Sequence, residues 1–290
     1  MFARLRDSGP FWMVVSCFSF STMGVFVKLG SSSFTTAELM FYRALIALLL
    51  LLVIVRPKKQ ALQVTGPILQ RHFLRSMCGA ISMMMGTYAM AHMPLPTAVT
   101  LQNTSPLFLM LMITILHRTL PQRLQAFSIV LGFSGVILLL RPTLSSDSWF
   151  AGAMGLLSGF FTAGSMFNIR ELSKYGEPEW RTVFYFLLTS TVMSGIWILI
   201  QPYAMAPLNW VNLGLILAMG IGASAGQMTI TRAYSKGKSM VVASLSYLTV
   251  AFTSFYGVII WNNQLPWMSY AAMLLIAVAG ILSAMRAGRN

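Results

Sequence analysis

The sequence predicts an all-α integral membrane protein with ten transmembrane helices in two inverted five-helix repeats, residues 1–145 and 146–290. Three observations predict it. The chain is 57% hydrophobic and only 9% charged, with a mean hydropathy of +0.73, whereas soluble domains carry roughly 25% charge. Basic residues recur at every second connection between apolar stretches. The two halves match each other weakly but in order.

A bilayer-spanning helix needs about 20 apolar residues, so ten of them leave only short connections and no room for a soluble domain. The first run, 11–29, follows Arg4 and Arg6. It is long for the apolar core of a secretory signal and more membrane helix follows it, so it reads as an uncleaved span. The second, 38–55, runs from Glu38 to Arg56, Lys58 and Lys59. The third, 74–92, begins beside Arg71 and Arg75 and closes at His92, and the fourth, 97–116, stops at His117 and Arg118. The fifth, 124–140, lies between Arg123 and Arg141, and the sixth, 149–168, ends before Arg170 and Lys174. The seventh, 182–200, starts after Arg181, and the eighth, 210–231, ends at Arg232. Lys236 and Lys238 precede the ninth, 240–260, and Arg286 closes the tenth, 267–285.

With the N-terminus in the cytoplasm, every lysine and arginine falls on the cytoplasmic side except three. Lys28 and Arg43 lie in or at the edge of spans, and Arg141 lies in an outer loop. The positive-inside rule then places both termini in the cytoplasm of a cell with the protein in its cytoplasmic (inner) membrane. Loops near Ser32, Pro94, Ser146, Pro207 and Asn263 fall outside. The net charge of +14 is explained by this topology. Its basic residues lie in small groups between apolar runs and not along one face, so no nucleic-acid partner is predicted. Cys17 and Cys78 both fall in apolar segments without paired metal spacing, and the three histidines are scattered. Neither a disulfide nor a metal site nor a cofactor is predicted.

The internal repeat begins with Phe20, Thr22 and Gly24 against Phe160, Thr162 and Gly164. Phe41 and Tyr42 match Phe184 and Tyr185, segment 98–101 matches 242–245, Phe108 matches Phe252, and 135–141 matches 280–286. Five spans is an odd number, so the second copy enters the membrane in the opposite orientation. This is the inverted-repeat plan from which many secondary transporters obtain two exchangeable conformations.

The motifs STMGVFVKLG in the first span, AELMFYRA in the second, YAMAHMPLPTAVTLQNTSPLF across the third and fourth, and GFSGVILLL in the fifth carry a family likeness. Through them the chain resembles the EamA-type transporters of the drug/metabolite transporter superfamily. The resemblance implies ten helices, a central pathway between the halves, and movement of small metabolites such as amino acids, nucleotide derivatives or other polar organic molecules. The family commonly has an acidic residue just after the fourth and ninth spans. This chain has His117 and Arg118 at the first place and Asn262 and Asn263 at the second.

Polar residues at membrane depth are the candidate site. Thr100, Gln102, Asn103, Thr104 and Ser105 stand just before Pro106 in the fourth span, and such groups must face protein or water. Pro106 removes a helical donor and is expected to kink the helix. Gln102, Asn103 and Tyr247 are read either as lining a cavity that orients a polar ligand or as helix-to-helix hydrogen bonds. Gln227 and Tyr88 are read the same way. Arg43 is either an anion contact through its guanidinium fork or a structural partner of Glu38 or of helix-end carbonyls. Lys28 either draws acidic ligands to the outer mouth or snorkels at the interface. His92 is read as an interfacial anchor, and the 22 methionines as packing or as an adaptable pocket.

The sequence therefore predicts a secondary transporter whose partners are a small-molecule substrate and the lipid bilayer. The substrate is expected to be zwitterionic, anionic or neutral. Of the six acidic residues only Glu38 lies near a span, which disfavours cations. Export of drugs or cationic compounds, and a non-transporting scaffold or receptor, are the alternative readings. An enzyme would need a nucleophile with its base or a ligand cluster, and none is present. Without acidic chains along the path, facilitated diffusion and exchange stand beside proton coupling.

Overall fold

The computed structural model describes residues 8–55, 64, 66–116, 127, 130–138, 148–200, 205–237, 242, 245–262 and 266–287. The fifth span is described only over the helical stretch 130–138. The residue pair His117 and Arg118 and the loop positions Ser146 and Asn263 lie outside the described residues, as does the boundary between the proposed repeats.

Helix α1, Gly9–Gly30, starts with Pro10 in its first turn, where a missing N–H costs nothing. Helix α2, Thr36–Val55, starts with a capping box. The Thr35 N–H donates to Glu38 Oε2 at 2.8 Å and the Glu38 N–H to Thr35 Oγ1 at 3.3 Å, satisfying donors that a helix N-terminus leaves open. Glu38 Oε1 also accepts the Ala206 N–H at 2.7 Å, so this carboxylate serves backbone and does not pair with Arg43. Helix α3, Gly66–His92, is longer than the run 74–92 read from hydropathy.

The fourth span is two helices, α4 (Leu95–Gln102) and α5 (Ser105–Leu116). The expected kink at Pro106 is instead a break at Asn103 and Thr104, and Pro106 sits harmlessly in the first turn of α5. The polar run of α4 adds side-chain hydrogen bonds to carbonyls near the break, of which Val99 also accepts the Asn103 N–H at 2.9 Å and Leu101 the Thr104 N–H at 3.2 Å. Thr100 Oγ1 donates to the Pro96 carbonyl at 2.6 Å, Asn103 Nδ2 to Val99 at 2.8 Å, and Thr104 Oγ1 to Leu101 at 2.6 Å.

In the second half, α6 is Trp149–Lys174, α7 is Glu179–Ile200 and α8 is Trp210–Lys236. Helix α9, Leu248–Trp261, follows a turn at Ser246 and Tyr247. The repeat places that turn opposite Gln102 and Asn103, so both halves break their helix at matching positions. Asn262 ends α9 at φ 48°, a left-handed cap that asparagine tolerates. Helix α10 is Trp267–Ala287. Among the described residues, α1, α2, α6, α7 and α8 are long and apolar enough to cross a membrane. The breaks shorten the fourth and ninth spans.

The packing treats the halves alike. Helix α1 lies along α8, and α3 lies along α6. Helix α2 meets α7 and α8, while α7 meets α2 and α3. Helix α1 crosses α9, just as α6 crosses α4 and α5. Exchanging first half for second maps each contact onto another. The crossings fall at the broken helices. Ser21 Oγ on α1 donates to the Thr249 carbonyl at 3.2 Å. On α6 it is Gly159 that meets the other break, where a Cβ would lie 2.9 Å from the Leu101 carbonyl oxygen. Large apolar side chains such as Phe18, Val53, Leu199 and Trp210 face outward, as a lipid-facing surface requires.

Candidate functional site

A cavity of about 150 Å³ lies between the halves where the two helix breaks face one another. Gln102, Asn103 and Ser105 line it from the fourth span, and Ser246 and Thr249 from the ninth. Met13, Met23, Met83, Met90 and Met166 supply much of the apolar wall, where flexible thioethers repack around a guest. Of the Met83 to Met85 run, only Met83 reaches it.

Two arginines reach the same space. Arg43 on α2 is 5% exposed, and its one hydrogen-bond partner among the described residues is Met23 Sδ at 3.7 Å. Arg75 on α3 is 2% exposed. Its Nη2 donates to Gln227 Oε1 on α8 at 3.1 Å, and its guanidinium lies 4.0 Å from the centroid of the Phe186 ring on α7. Nε and Nη1 of Arg75 have no partner among the described residues. Gly79, one turn along α3, makes this stack possible, because a Cβ there would stand 2.8 Å from the Phe186 ring and 3.1 Å from Arg75 Nη1. Phe186 is the repeat counterpart of Arg43.

Of the residues singled out in the sequence, Arg43, Gln102, Asn103 and Gln227 line the cavity together. Asn103 does so with its amide already committed to Val99, whereas Gln102 makes no hydrogen bond to another described residue. The other three stand outside the lining. Tyr88 stacks on His92 with centroids 4.0 Å apart. Lys28 Nζ donates to the carbonyls of Ala91 at 2.8 Å and Met93 at 3.0 Å, tying the end of α1 to the end of α3. Tyr247 is buried with its hydroxyl unpartnered among the described residues, while its neighbour Ser246 faces the cavity.

Arg75 was assigned from the sequence to the cytoplasmic loop charges. It stands nine residues into α3, about 13 Å along the axis, and faces inward. Arg75, Gly79, Ser82, Met83 and Met90 form a stripe at helical spacing that all line the cavity, and that stripe was the available signal.

The EamA-like transporter family model matches this chain twice, over residues 7–141 and 149–285. The chain belongs to the EamA-like transporter family. Among similar proteins is a pseudopaline exporter of Pseudomonas aeruginosa, 31% identical over 97% of both chains. An uncharacterized transporter of Helicobacter pylori is 25% identical, covering 92% of this chain and 91% of its own. A solved crystal structure has the same fold, with a TM-score of 0.66 at 15% identity over 95% of this chain and 99% of the other. The protein is thus a multi-pass membrane transporter with a duplicated family domain, and its relatives are transporters of small molecules and not enzymes.

In this EamA-like transporter a cluster of hydrogen bonds and ion pairs stands one turn before Arg75 on α3. His72 Nε2 and Glu177 Oε2 are 3.0 Å apart, with side chains 1% and 7% exposed. Arg181 Nη1 donates to both Glu177 oxygens at 3.0 Å. Beside them Arg232 Nε reaches Glu179 at 3.1 Å and its guanidinium lies 4.7 Å from the Trp12 ring. These contacts join α3, α7, α8 and the α6–α7 connection, which are elements of both halves. Among the described residues, no group of His, Cys, Asp or Glu is arranged to hold a metal ion.

Proposed function

We propose that this transporter moves a small polar organic metabolite, zwitterionic, anionic or neutral, by alternating access at the cavity between its halves. The observation that carries the reading is the cavity itself, an apolar-walled space that both halves furnish with polar groups at the two helix breaks. Discontinuous helices around a central site are how secondary transporters present backbone and amide groups to a solute. Residues 1–145 and 146–290 act as inverted repeats, and rocking one against the other exposes the site to each side in turn. Both termini lie in the cytoplasm and the protein in the cytoplasmic membrane. The relative named as an exporter favours outward movement.

Export of cationic compounds is the weaker reading, because among the described residues the cavity lining contains two arginines and no acidic residue. A thermal-stability screen of the purified protein against amino acids, organic acids, nucleotides and vitamins tests the reading, since a ligand that binds only the folded state raises its stability. Stabilisation by one class, followed by its movement into reconstituted vesicles, is the expected result. A protein that binds and moves none of them is a scaffold or receptor.

A further inference from the structure

We propose that the substrate carries at least two anionic groups, one held by Arg43 and the other by Arg75. The inference rests on the transport reading above and narrows it to organic dianions such as dicarboxylates. Arginine keeps its charge in proteins, so the cavity wall holds two positive charges on two different helices. Burying a charge is costly unless it is paired and hydrogen-bonded.

Neither guanidinium has a carboxylate partner among the described residues, and the acidic residues that are described are engaged elsewhere. Glu38 binds Thr35 and the Ala206 N–H. Glu171 pairs with Lys174, Glu177 with His72 and Arg181, and Glu179 with Arg232. Gln227 and the Phe186 face satisfy Arg75 only in part, leaving Nε and Nη1 unmatched. Arg43 has only a thioether. A bound dianion supplies what both lack, because carboxylates accept paired N–H bonds from a guanidinium fork. Gln102 on the same wall remains for the neutral polar atoms between the two charges, whereas Ser82 and Thr162 hydrogen-bond each other at 2.6 Å and Ser82 Oγ donates to the Ser158 carbonyl at 2.8 Å.

The test uses glutarate, its monoamide, its diamide and butyrate as probes on the full-length protein in detergent at low salt, with binding read from the shift in melting temperature and transport from uptake into vesicles. Glutarate is expected to stabilise the protein and to compete for transport, with the monoamide and butyrate weaker and the diamide inactive. Arg43→Gln and Arg75→Gln should each weaken glutarate binding roughly ten-fold or more, while binding of the monoamide changes far less. A purely structural role would weaken every probe alike. Arg43→Lys and Arg75→Lys keep the charge and should retain a preference for glutarate, which covers the case of a Gln variant that fails to fold. If the diamide or a cationic amine binds the wild-type protein better than glutarate, the dianion is overturned and the transport reading stands. If no solute of any class binds or moves, both fall together.

Discussion

Arg43 and Gln102 differ from their polar neighbours in having little else to do. Arg43 touches a sulfur and the cavity, so a guanidinium fork there is available to a ligand. Arg43→Ala is expected to weaken transport more than Arg43→Lys, because lysine keeps the charge and loses the bidentate geometry. Uptake in vesicles, compared between proteins that elute as single species, measures it, and equal activity of wild type and Arg43→Ala would remove Arg43 from the site. Gln102 makes no hydrogen bond to a described residue, whereas Thr104 closes the end of α4 by bonding Leu101. Gln102→Leu should therefore weaken substrate binding while changing stability by less than about 0.5 kcal/mol. Thr104→Val, by removing one of the donors to the buried Leu101 carbonyl while the Thr104 N–H stays, should cost about 0.5 to 1.5 kcal/mol. Denaturation midpoints of the two variants separate the roles.

Among the elements, α3 carries the cavity-lining stripe and, toward its N-terminal end, the His72 cluster. His72 engages Glu177 one turn before Arg75 reaches Gln227 and Phe186. The Glu177 carboxylate holds His72 and Arg181 together, and removing one partner of a buried ion pair leaves the others uncompensated. Glu177→Gln is expected to loosen this end and favour the conformation open there. In a Cys17→Ser background, Cys78 on the same helix should then react faster with a water-soluble maleimide than in the parent. An unchanged rate would mean that these ion pairs do not hold the end closed. The broken helices are element-scale features too. Side-chain donors support both of them, Thr100, Asn103 and Thr104 in one half and Cys17 of α1, on the Leu245 and Ser246 carbonyls, in the other.

At the scale of the whole molecule, the contact pattern survives exchange of the halves, which is what a rocking mechanism between equivalent bundles needs. The inverted-repeat form of alternating access proposed for this protein requires that the second half run opposite to the first, and loop sidedness tests this. Single cysteines placed at Ser146 or Pro207 in intact cells should react with an impermeant reagent, and those at Lys58 or Gly237 should not. The reverse pattern would invert the topology, and labelling of all four on one side would dissolve the inverted repeat.

Hydropathy was enough to predict a membrane-embedded helical protein, because it is a property of residues counted along the chain, and the motifs of the first five spans carried the likeness to the EamA-like family that the family match bears out. The site was only partly legible in the same way. Arg43, Gln102, Asn103 and Gln227 were identifiable because a polar group in an apolar run must face protein or water. Arg75 was not, since a basic residue near the start of an apolar run has the same local composition whether it sits in a loop or inside a helix that begins nine residues earlier. Nor does composition distinguish a polar side chain left free for a ligand from one bonded to a carbonyl of its own helix, which is why Thr100 and Thr104 looked like Gln102. Only the packing of α3 against α7 and α8 placed Arg75 over Phe186 and beside Gln227, because burial depends on which helices lie across from one another and not on the order of residues within any one of them.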